Sequence, residues 1–156
     1  MPLPNLPDDA QDRGLILTLG YGGLIPFALL ASLLWLVEPG LRGFVAIALA
    51  GYAALIAAFL GGVHWGIGWL NGLRPGTMPH SQRRHFVWGV VPSLLAWPGL
   101  VMPAYAGLAW LGLVLIASYL ADRSLYAHAG LQHWLTLRFR LSAVAALSCF
   151  IGAGAV

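Results

Sequence analysis

The chain runs to 156 residues, of which 60% are hydrophobic and only 8% charged, with a formal net charge of +3. Soluble domains carry about a quarter of their residues as charged ones. A water-soluble globule of this composition would have to cover most of its surface with apolar side chains. A soluble enzyme, a nucleic-acid binder and a disordered chain are therefore all disfavoured, and the expected solvent is lipid.

In chain order, the N-terminal stretch carries Asp8, Asp9 and Asp12 against Arg13. That sign is wrong for the basic n-region of a cleaved signal peptide, so the first apolar run is expected to stay in the protein. Five apolar runs approach the ~20 residues that cross a bilayer. They cover residues 14–37, 43–70, 86–102, 104–121 and 141–156 and predict an all-α bundle of five transmembrane helices in one integral membrane domain. Glu38-Pro39-Gly40 ends the first run, because proline removes a backbone donor and glycine permits a reversed backbone. The stretch from Arg74-Pro75-Gly76 to Arg84 ends the second. Only Met102-Pro103-Ala104 separates the third run from the fourth, which predicts a tight helical hairpin. Pro26, Pro92 and Pro98 lie inside runs and predict kinks, with neighbouring helices re-satisfying the freed carbonyls.

Charge sets an expected sidedness. With five spans, Arg13, Arg74, Arg83, Arg84, Arg123, Arg138 and Arg140 share one side, and Arg42 alone lies on the other. Basic residues concentrate on the cytoplasmic side, so the N-terminus is expected inside and the C-terminus outside. The membrane is then a bacterial inner membrane, or the mitochondrial inner membrane in a eukaryote. The arginines should lie against anionic headgroups, and no nucleic-acid partner is expected. Cys149 stands alone in an apolar run and reads as a small buried hydrophobe.

The histidines follow the arginines. His80, His85, His128 and His133 fall in the same loops or at their edges, and His64 lies in the nearby half of the second run. His64 shares a face with Gly61, Gly68 and Asn71, a small and polar face expected to look into protein and to leave space beside the imidazole. Two small-xxx-small steps, Gly62 to Gly66 and Gly68 to Gly72, predict close approach of another helix, within the chain or across a homo-oligomer.

Phe59-Leu60-Gly61-Gly62-Val63-His64-Trp65-Gly66 resembles a signature of the transmembrane protein 69 family, small polytopic proteins of bacteria and mitochondria. Residues 19–27 resemble that family's first helix, and residues 134–142 its last loop and helix, with Asp122 in the place of an aspartate ahead of them. The resemblance implies a helical membrane fold and no established activity. This chain reads Gln132-His133-Trp134-Leu135 where the family often has a proline and a Trp-Tyr pair.

Asp122 is expected to end the fourth helix, with Ser118, Tyr119 and Tyr126 on its side. An aspartate near lipid is costly unless paired, so a bridge to Arg138 or Arg140 is expected. The predicted ligand-binding set is His64, the adjacent Trp65, Tyr119, Asp122, Arg138 and Arg140. His80 and His85, like His128 and His133, are five apart and share no helical face, so no metal site is expected from either pair. Catalytic and cofactor motifs are lacking, which predicts neither an enzyme nor a cofactor. Trp69, Trp88, Trp110 and Trp134 read as an aromatic belt. Two functions fit: binding or moving a small anion, lipid or quinone-like molecule through a pocket around His64, or an accessory role in assembling a membrane-protein partner. A cavity lined by His64, Tyr119 and Asp122 would favour the first, and a dry, closed bundle the second.

Overall fold

The computed structural model describes residues 10–73, 79–128 and 134–156, and the described residues form helices without strands. In chain order these are α1 (Ala10–Gly22), α2 (Ile25–Leu36), α3 (Pro39–Gly72), α4 (Pro79–Val101), α5 (Ala104–His128) and α6 (Leu135–Ala153). Among them α1 and α2 taken together, α3, α5 and α6 are long and apolar enough to cross a membrane. The protein is thus a helical membrane bundle. Helix α4 falls outside that group because its first turns hold Gln82, Arg83, Arg84 and His85. It carries the predicted third span and packs along α3 and α5.

Helix ends differ from the predicted spans in physically consistent ways. The first span is two helices, with Gly23 and Leu24 between them and Pro26 in the opening turn of α2. Tyr52 of α3 donates its hydroxyl to the Gly23 carbonyl at 2.8 Å, so the interruption keeps a partner. Proline at the start of a helix gives up a donor that has no intrahelical acceptor anyway. Helix α4 begins at Pro79 and α5 continues to His128, so Asp122 lies inside a helix and not at its end. Helix α6 likewise starts before residue 141, at Leu135. Backbone hydrogen bonding continues past the point where hydropathy stops reporting lipid.

Packing is close because facing positions are small. Along α3 a stripe of Ala46, Ala50, Ala53, Ala57, Gly61, His64 and Gly68 is buried at helical spacing. A Cβ on Gly61 would strike the Gly89 carbonyl of α4, and one on Gly107 would strike the Gly99 carbonyl, so α4 touches α3 and α5 backbone to backbone. Within the chain the two expected glycine steps behave differently. Gly62 and Gly66 face open space, while Gly68 meets Phe86 and Gly72 meets Gln82. Gly62 stands about 100° from Gly61, and Gly66 about 200° from His64, so neither shares the buried stripe. In the α4 turn interrupted by Pro98, the Leu95 carbonyl accepts the Trp110 indole N–H at 2.6 Å. That contact secures the α4–α5 hairpin. Leu36, Phe44, Ile47 and Leu55 point outward, where lipid would cover them.

Candidate functional site

Four helices bring one polar cluster together in the bundle interior. The buried stripe of α3 presents His64, α4 presents His85 and Trp88, α5 presents Asp122 and Tyr126, and α6 presents Arg138. Nε2 of His64 donates to Oδ1 of Asp122 at 2.7 Å, and the Trp88 indole N–H donates to the same oxygen at 3.2 Å. The other carboxylate oxygen is bridged by Nη2 of Arg138, whose Nη1 donates to Ser142 at 3.0 Å. Asp122 therefore serves three donors from three helices, which offsets the cost of removing its charge from water. His64 and Asp122 are 0% and 1% exposed.

A second imidazole extends the chain of contacts. Nδ1 of His64 lies 3.0 Å from Nδ1 of His85. Their rings are 22° from parallel with centroids 5.3 Å apart. That separation is about the N···N distance plus a ring radius on each side, so the imidazoles meet edge to edge with their nitrogens in line. One proton must lie between two such nitrogens. A metal shared by both would need their lone pairs to converge at an angle on a third point. Among the described residues no group of three or more His, Cys, Asp or Glu is arranged to hold a metal ion. His133 lies outside the described residues, as do the side chains of His80 and His128.

The structure assembles half of the predicted set. His64, Asp122 and Arg138 come together. Arg140 turns away to lie 3.4 Å from the Tyr21 hydroxyl on an exposed face, because residues two apart on a helix point about 200° apart. Tyr119 packs on Phe139 at 5.5 Å, on the outer side of α5 and α6. Trp65 is 45% exposed, donates to the Phe86 carbonyl at 3.1 Å and covers Gly89, so it secures α3 against α4. Nor is there space beside His64: the Gly89 backbone fills it at Gly61 and the Phe86 ring at Gly68. None of the cavities described below is lined by His64, Tyr119 and Asp122 together.

Sequence reading missed His85, Trp88 and Ser142. His85 and Trp88 are three apart on one face of α4, a signal available once α4 is allowed to begin before Phe86. Ser142 is one turn beyond Arg138, within reach of a guanidinium on the same face.

Two cavities border the charged or aromatic members of the cluster, and a third of about 410 Å³ between α5 and α6 reaches its Ser142. A groove of about 380 Å³ opens between α1, α2, α3, α5 and α6. Leu19, Phe27, Phe59 and Val63 line it with apolar surface, and Tyr126 and Arg138 add polar groups to the lining. Leu19 and Phe59 are each 66% exposed, so the mouth faces the lipid side. Arg138 is nine-tenths buried, and its Nε has no hydrogen-bond partner among the described residues. The second, a cleft of about 580 Å³ between α4 and α5, is lined by Arg83, Arg84 and Trp88.

The comparisons give a family and no activity. Residues 13–154 match the family described as "Protein of unknown function (DUF3429)". The chain belongs to the DUF3429 family. No curated protein and no solved structure matches it.

Proposed function

We propose that this DUF3429 protein binds a membrane amphiphile in the groove between α1, α3 and α6, with the tail along Phe59 and Val63 and an acceptor head group at Arg138 and Tyr126. The observation that carries the reading is a lipid-facing apolar groove that has the nine-tenths buried Arg138 and Tyr126 in its lining. A groove of this size with a few polar groups in its lining suits a chain-bearing ligand. This moves the expected pocket from His64 to the Arg138 side of the same cluster. His64 then acts behind the site, holding Asp122 and through it the guanidinium. In this reading the arginine-rich side faces the cytoplasm and the C-terminus lies outside, in a bacterial or mitochondrial inner membrane, as for a relative of the transmembrane protein 69 family.

A long-chain amphiphile carrying a photoactivatable diazirine in its tail tests the site on the purified protein in bilayer nanodiscs. Labelling should concentrate on Leu19, Phe59 and Leu141. Label spread evenly around the lipid-facing surface would overturn the reading. The accessory reading draws on a different observation, the complete enclosure of His64 behind the contact between Gly61 and Gly89. It is the one that even labelling would favour.

A further inference from the structure

We infer that the head group taken at Arg138 is anionic and that its binding is coupled to uptake of one proton by the His64–His85 pair. The inference rests on the groove reading above and gives it a ligand class and a pH response.

Charge and hydrogen-bond counting carry it. Asp122 and Arg138 cancel when both imidazoles are neutral. His64 turns Nε2 toward a carboxylate oxygen, so that nitrogen carries a proton, and with His64 neutral its Nδ1 is an acceptor. The proton of the Nδ1···Nδ1 bond then belongs to His85, whose Nε2 is left with a lone pair. An anion held where Arg138 lines the groove adds a negative charge beside a carboxylate that already shares the guanidinium. In a buried site that excess is expensive. A proton added from solution at Nε2 of His85 restores neutrality. His85 can then pass its Nδ1 proton along the 3.0 Å bond to His64, placing the new charge directly against Asp122. Nothing is oxidised or reduced, and one N–H forms as the next is handed on.

Among the described residues, the ionisable groups seen against the pair come from two helices. Helix α5 brings Asp122 and Tyr126, whose ring is 5.5 Å from that of His64, and α6 brings Arg138. On α4 the neighbouring donor is Trp88, which does not titrate. Arg140 stays with Tyr21 of α1. The positive charge on the imidazole pair thus lies next to one carboxylate and opposes one guanidinium, and the arriving anion shifts that balance toward protonation.

The sign follows. Protons bound together with the ligand make affinity rise as pH falls, by about tenfold per pH unit where the free pair is neutral and the bound pair charged. Dodecane sulfonate is a suitable probe because its head group stays ionised throughout, so any slope belongs to the protein. Binding to the full chain in phosphatidylcholine nanodiscs, against empty discs, is measured by calorimetry from about pH 5.5 to about pH 8 in two buffers of different ionisation enthalpy. Expected are tighter binding at low pH, uptake of one proton, and pH-independent binding of dodecanol. His85→Asn keeps a donor toward His64 but does not titrate, and should flatten the sulfonate profile. The wild-type proton count stands whether or not that variant folds. Sulfonate binding with a flat profile and no proton uptake would overturn the coupling and leave the groove reading intact. Dodecanol bound and sulfonate refused would overturn the anionic class, and binding of neither beyond empty discs would overturn the groove itself. A full slope in folded His85→Asn would remove the imidazole pair from the account.

Discussion

The two ends of the bundle hold their helices together by different means. At one end Leu34, Leu49, Leu108 and Ala46 are fully enclosed, and the polar ties, Trp35 to the Ile151 carbonyl at 3.3 Å and Arg42 to the Ala155 carbonyl at 3.2 Å, run between side chain and backbone around them. At the other, His64, His85, Asp122 and Arg138 are tied by directed hydrogen bonds around a glycine contact. Lipid tails are as apolar as leucine, so the leucine core of the first end gains from dispersion and fit. The polar end has a carboxylate that must be served wherever it goes, and the helices are placed to serve it. Tolerance to substitution should therefore differ sharply between the ends.

Asp122→Asn should produce the largest effect. It leaves the guanidinium of Arg138 buried without its counter-charge, a loss of about 3–5 kcal/mol. Thermal unfolding in detergent checks this, and a melting temperature within a degree or so of wild type would make the bridge dispensable. A paired glycine test comes next. Gly61→Ala drives a methyl into the Gly89 carbonyl, whereas Gly152→Ala meets only the methyl ends of Leu49, Leu34 and Leu108. Backbone cannot yield and side-chain ends can, so Gly61→Ala should cost more than Gly152→Ala, within the usual overpacking range of about 1–3 kcal/mol. Gly62→Ala, facing open space, should be silent; equal losses at all three positions would erase the distinction between the ends. Ser142→Ala removes one donor contact from Arg138 and should lower stability by about 1 kcal/mol, seen as a modest shift of the same transition. Arg140→Gln should be the smallest, with no measurable change in unfolding, because its contact with Tyr21 is exposed.

Which parts of this arrangement could be read from residues alone depends on what hydropathy measures. Apolar runs overlap each of the four stretches that are long and apolar enough to cross a membrane among the described residues, and Glu38-Pro39-Gly40 and Met102-Pro103 marked two helix junctions. The runs did not reveal that α5 continues through Asp122, Arg123 and Ser124, since polar residues in a helix leaving the hydrocarbon look like a loop. The same effect hides His85, which reads as the edge of a connection and lies in the second turn of α4. The pairing of Asp122 with an arginine was legible from cost alone. The choice of Arg138 over Arg140 required the phase of α6, and the space expected beside His64 vanished because glycine there admits another backbone, not a ligand.

Helix α3 has 34 residues, which at ~1.5 Å each is about 51 Å, against a hydrocarbon core of about 30 Å. Tilting alone would need an angle beyond the range of about 0–40° seen for transmembrane helices, so the helix must also run on past the acyl chains. His64 lies eight residues before its end at Gly72, about 12 Å along the axis. The depth of the imidazole is therefore set by how the surplus length is shared between the two leaflets. A thinner bilayer would bring the cluster toward water and a thicker one would draw it toward the acyl chains, which makes hydrophobic mismatch a variable of the polar end of the bundle and not only of its outer surface.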